Sequence, residues 1–227
     1  MEDLDLGRLA DIPDPFAEGS EKAPRSLAKR PAAPSASRAH VRGIRVMAIA
    51  IAVLSEAAWL VLVEHRNDLG ALSPSGVLLG VGVPFAAAAV ALAAAARRGP
   101  LGLGEPASRL AALLGLSVTV FVVGSLFATP QEYDAGPFWP HTLRCMAVTA
   151  ALAAAPLALG VWSFRHAFVT ATTWRSTGLG VAAGALAAAT MSLACSTDSV
   201  LHVIVGHGAM MLVGGAVGAA LGRATRA

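Results

Sequence analysis

The residues with the most reactive chemistry in this chain of 227 are Cys145, Cys195, Asp198, His141, His202 and His207. Cys195 opens a polar turn, Cys195-Ser196-Thr197-Asp198-Ser199, and His202 and His207 follow it. His141 lies just ahead of Cys145. Two thiols can lose electrons to form a disulfide, or ligate a soft metal to which His and Asp add donors. The spacing argues against a metal. His202 and His207 stand five apart, whereas a ligand pair on an α-helix is spaced three or four. No metal and no cofactor is therefore expected. Taken as residues alone, the cysteines fit a redox pair and small fillers of helix contacts equally well, and the histidines fit caps on helix ends.

Glu56 is the other candidate. It lies within an apolar run, with Trp59 one turn later. A carboxyl inside a membrane span is costly and usually faces the bundle interior or a polar cavity. It reads either as a proton or cation site or, because Glu64 and His65 follow closely, as a protonated or hydrogen-bonded residue near the interface. No Gly-rich phosphate loop, Ser/His/Asp arrangement or zinc-protease motif is present. No catalytic residue is assigned and no enzyme is expected.

The elements that must position these groups are apolar runs. The chain is 56% hydrophobic and only 14% charged. Runs of about 20 apolar residues match a hydrocarbon core of roughly 30 Å. Six helices are expected, at about 44–63, 76–96, 109–128, 142–163, 177–194 and 200–221. The fold class is thus all-α, a six-helix membrane bundle, residues 44–222, with a short C-terminal end at 223–227. The first run begins after a long charged tail, so helix 1 reads as a signal anchor and not as a cleaved signal peptide. Six spans put both termini on one side. Fifteen Lys and Arg lie on that side, against Arg66 and Arg144 on the other, which makes the termini cytoplasmic. Cys145, entering helix 4, and Cys195, leaving helix 5, then share the extracytoplasmic face, where a disulfide can persist. Glycines at every fourth position, Gly180 and Gly184 on helix 5 and Gly214, Gly218 and Gly222 on helix 6, predict close helix packing within the bundle.

Residues 1–43 form a tail of two opposite halves. Residues 1–21 carry seven acidic residues and Arg8, and residues 22–43 form a basic, Pro-rich linker. The acidic half interleaves Leu4, Leu6, Leu9, Ile12 and Phe16 with its charges. It is too poor in apolar residues to fold alone, and it suits folding on a basic partner or remaining a solvated tail. The basic half should lie on anionic lipid headgroups, at about 1 kcal/mol per Lys or Arg near the surface.

In this organisation the chain resembles the six-helix membrane anti-sigma factors typified by the negative regulator of sigma-F (NrsF), and the similar carotenoid light-response regulator CarR. The resemblance rests on six spans, a cytoplasmic tail, Cys145 entering helix 4, and the Cys195-Ser196-Thr197-Asp198-Ser199 turn, similar to the family's Cys-x-x-Asp-Ser. Val200 stands where the family usually has Pro. The resemblance implies an inner-membrane anti-sigma factor that holds an extracytoplasmic-function sigma factor and releases it on an oxidative, metal or light-linked signal. Cys145 and Cys195, with Asp198 and His202 beside them, inherit the sensing role. Leu4, Leu6, Leu9, Ile12 and Phe16 become the sigma-binding set, with no direct contact to nucleic acid. Two other readings stay open: a small ion-coupled transporter using Glu56, and a membrane metal or redox protein.

Overall fold

The computed structural model describes residues 38–62, 74–96, 105–128, 138–164, 172–195 and 199–224. Leu4, Leu6, Leu9, Ile12, Phe16 and Asp198 lie outside the described residues. The described residues form six helices and no strand: α1 (Arg38–Leu62), α2 (Pro74–Ala96), α3 (Ala107–Ala128), α4 (Phe138–Phe164), α5 (Thr172–Ala194) and α6 (Val200–Ala224). The helices begin earlier than their apolar runs. α1 starts at Arg38 and α5 at Thr172, because polar first turns satisfy helical geometry without contributing hydropathy.

Five helices, α2 to α6, are long and apolar enough to cross a membrane. The apolar part of α1, Val46–Leu62, is shorter. At 1.5 Å per residue it spans about 25 Å. Arg45 bounds it at its start, and Leu62 is the last described residue of α1.

α5 is the hub. In its apolar stretch 72% of residues are buried, against 22–44% in the other four spans. Small residues allow this. A Cβ on Gly180 would collide with the backbone carbonyl of Gly214, and one on Gly214 with that of Gly180, so α5 and α6 touch backbone to backbone. On its other side α5 joins α2, α3 and α6 in a core of Ala87, Ala91, Phe121, Val181, Ala185 and Met211. Ser117 of α3 donates to the Ala87 carbonyl of α2 at 2.7 Å, fixing the register of those two helices. Large apolar side chains point outward instead, among them Leu54, Leu62, Phe127, Trp139 and Leu212.

α6 is irregular. Its first turn, Val200–His202, is α-helical, Val203–Gly208 is π-helical, and Ala209–Ala224 returns to α. A π turn inserts one residue and re-aims the side chains on either side of it.

Candidate thiol and histidine site

Three elements meet where α4 begins, α5 ends and α6 begins. α4 contributes His141, Thr142 and Cys145 from successive positions on one face, since residues three and four apart are neighbours on a helix. Cys195 sits one residue past α5, its N–H donating to the Met191 carbonyl at 2.7 Å. The Ser199 hydroxyl caps α6 by accepting the His202 backbone N–H at 3.1 Å. That cap places His202 in the first turn, facing the thiols.

The Sγ atoms of Cys145 and Cys195 lie 3.8 Å apart, and both cysteines are buried and not joined in a disulfide. His202 Nε2 lies 3.4 Å from the Cys195 Sγ. The other nitrogen of that ring, Nδ1, is 3.1 Å from the Thr142 hydroxyl. With Nδ1–H donated to Thr142, the Nε2 lone pair points at Cys195. The His141 ring packs on His202 with centroids 5.4 Å apart. The Cys145 thiol, and then His202 and His207, hold the Cys195 thiol below its usual range against the opposing effect of burial.

The π-helical stretch explains His207. Its i→i+5 bonding stacks residues five apart, so His207 comes to lie edge-on beneath His202, with centroids 5.2 Å apart. Gly206 is the residue that lets His202 fold down, because a Cβ there would press on the His202 ring at 3.3 Å. His207 is 1% exposed and, among the described residues, neither ring nitrogen has a hydrogen-bond partner.

This arrangement permits two reactions. Oxidation would bring the sulfurs from 3.8 Å to a bond of about 2.0 Å, drawing α4 toward the end of α5. Ligation is also open. One donor atom each from His141, Cys145, Cys195 and His202 falls within 4.8 Å of the others. Donors around a tetrahedral ion stand at most roughly 3.8 Å apart, so a metal would contract the group by about 1 Å. The spacing objection to a metal assumed an α-helix from His202 to His207, and the π turn removes that assumption. These four donors are the residues on which the metal or redox reading of the sequence rests, and His141 and Cys145 stand four apart on one face of α4. Thr142 carried no signal of its own, since a threonine in an apolar helix reads as filler.

Glu56 lies outside this cluster. It is buried on α1 and faces Thr190 of α5. Trp59 and Leu60, one turn further along α1, pack against Cys145, Met191, Ala194 and Cys195.

Compared with known families, the chain matches the one described as NrsF, negative regulator of sigma F, over residues 27–225. It belongs to the NrsF family. No curated protein and no solved structure matches it. Membership makes the coarse role negative regulation of a sigma factor, as the resemblance implied, and gives the chain a sigma factor as partner. The family is one of regulators, which points to a non-enzymatic role. The match includes all six helices and with them the thiol and histidine cluster.

Proposed function

We propose that this NrsF protein is a six-span anti-sigma factor of the inner membrane that holds an extracytoplasmic-function sigma factor and releases it when its outer thiol site is oxidised or ligated. The observation that carries the sensing half is the approach of Cys145 and Cys195 to 3.8 Å, with His202 behind them. Two thiols held that close at the ends of different helices are poised for a change that moves those helices.

The membrane setting rests on five long apolar helices with outward-facing Leu, Val and Phe side chains, and on the charge asymmetry. α1 is the sixth span, its apolar run preceded in the sequence by Arg38, Arg42 and Arg45, residue types that suit the headgroup level. The site then opens to the extracytoplasmic side, while residues 1–43 lie in the cytoplasm. Leu4, Leu6, Leu9, Ile12 and Phe16 dock on the sigma factor, whose DNA-binding surfaces are basic and complement the acidic half of the tail. The basic half lies on anionic lipid.

Disulfide formation removes two electrons and two protons to an oxidant. A metal removes the thiol protons and joins α4 to the start of α6. Either event shifts α4 against α5 and α6, and it changes sigma binding only by favouring one of two bundle arrangements that differ in affinity for it.

Affinity purification of the full-length protein from host membranes tests the reading. A sigma factor should co-purify, and should be lost when Leu9 and Ile12 are both replaced by Asp. Replacement of both cysteines by Ser should keep the sigma factor bound and abolish its signal-dependent release. Absence of any sigma factor with the intact protein would defeat the proposal.

A further inference from the structure

α1 is the helix that leads to the tail, and it carries a buried acid that the thiol site does not use. Glu56 is 4% exposed and, among the described residues, neither carboxyl oxygen meets a hydrogen-bond partner and no cation is paired with it. The contrast with Glu105 is direct. That acid is also buried, but Arg109 lies 3.3 Å from it. An ionised carboxyl without a cation, placed against apolar helices, costs several kcal/mol or more, and the inexpensive alternative is to bind a proton.

The facing residue is Thr190, whose hydroxyl donates to the Leu186 carbonyl at 3.3 Å. In that orientation a lone pair of its oxygen is open to a carboxylic acid O–H, whereas to meet a carboxylate the hydroxyl must turn from Leu186 and donate instead. Among the described residues, the titratable groups that other elements bring to this part of α1 are two thiols and an imidazole, and the lowered Cys195 thiol adds negative charge that a carboxylate would have to share. α4 offers the Cys145 thiol and the Thr149 hydroxyl, the latter already donating to the Cys145 carbonyl, and α5 ends in Cys195 with His202 behind it.

Room for movement lies one turn away. Toward the start of α1, a half-open apolar cavity of about 260 Å³ separates it from α5, lined by Ala48, Ala52, Ala182, Leu186 and Pro156. Ala52 and Glu56 are on one face of α1, and Leu186 and Thr190 on one face of α5. The pair thus closes the end of a gap into which α1 can tilt.

We propose that Glu56 is a proton-binding site whose protonated carboxyl donates to Thr190 and locks α1 to α5. Loss of the proton removes that donor and leaves a buried negative charge with no cation beside it, and α1 swings away. Its effect on the sigma factor rests on the reading that residues 1–43 hold that partner.

Infrared spectroscopy of the purified full-length protein in lipid at neutral pH tests the site directly. The wild type should show the C=O stretch of a buried protonated carboxylic acid. Glu56→Gln, close in volume and still a donor, should lose it, and Thr190→Val should shift it to higher frequency. No such band, or a band unchanged in Glu56→Gln, overturns the site, and a band unmoved by Thr190→Val overturns the lock.

The coupling is read in a second measurement. At the alkaline pH that removes the band, wild type should release its co-purified sigma factor several-fold more than Glu56→Gln does. Equal retention by both overturns the lock while leaving sigma binding intact. Absence of the sigma factor from both at every pH counts against the tail reading, and the site is then decided by the infrared result alone.

Discussion

The two halves of the α5–α6 hairpin are built on opposite principles. In the half from Gly184 and Met210 toward the helix ends at Thr172 and Ala224, backbone touches backbone. In the half nearer the thiols the same helices diverge in character. A capped turn, a π-helical stretch and two stacked histidines take the place of glycine contacts. A close-packed interior transmits strain and hardly deforms, so movement at the thiols is confined to the half that has alternatives. One half anchors the bundle and the other is left free to respond. That division can be broken from either side.

The largest effect is expected in the anchor. Replacing Gly180 by Leu sets side-chain atoms against the Gly214 carbonyl, where no rotamer gives relief. The cost should reach or pass the upper end of the ~1–3 kcal/mol typical of overpacking. Thermal denaturation in detergent should show a large drop in the midpoint, or the protein should fail to accumulate in membranes. Normal stability in this variant would mean that the two helices are not in backbone contact.

In the responsive half, function should fall and stability should hold. Cys145→Ser with Cys195→Ser should reduce signal-dependent induction of a sigma-dependent reporter to its uninduced level, while the midpoint changes little. Thr142→Val is the finer probe. It leaves His202 Nδ1 buried without its partner, at about 1–3 kcal/mol. It also frees the ring to turn from Cys195, and loss of such a supporting contact typically lowers metal affinity 10–100-fold. A change in stability with no change in the response would make Thr142 a packing residue only.

These variants also mark where the sequence was informative. Long apolar runs showed the helices, and the parity of spans put Cys145 and Cys195 at one end of the bundle. The fourfold glycine spacing showed the α5–α6 contact. The early start of α1 at Arg38 was hidden because Arg38, Arg42 and Arg45 read as tail. The π turn was hidden for a deeper reason. It accommodates tertiary contacts, with Gly208 receiving the Phe121 ring of α3 and Gly206 receiving His202, and periodicity along one segment holds no record of its partners. Opposed pairs such as Glu56 and Thr190 are invisible for the same reason.

A smaller effect separates the two thiols. The Cys195 thiol is held below its usual range, first by the Cys145 thiol and then by His202 and His207. A lowered value means that thiolate persists as pH falls. Modification of Cys195 by a small alkylating reagent should fall less steeply with pH than that of an unperturbed thiol near 8.5, which loses about tenfold in rate per unit. Peptide mass spectrometry distinguishes Cys195 from Cys145. A tenfold loss per unit at Cys195 would remove the electrostatic asymmetry from the site.

The smallest expected effect tests whether His207 belongs to the responsive half at all. Among the described residues both its ring nitrogens are buried without partners, although its edge meets His202. A buried polar group in that condition carries its desolvation cost with no hydrogen bond to offset it. His207→Met, similar in volume and flexible enough to fill the same space, should therefore leave the midpoint unchanged or raise stability by up to about 1 kcal/mol. If the imidazole merely packs, signal-dependent release will survive the change as well. A neutral midpoint with a weakened response would make His207 a working part of the thiol site. A marked loss of stability would be the more instructive result, since it would mean that the ring nitrogens are satisfied by something bound beneath His202.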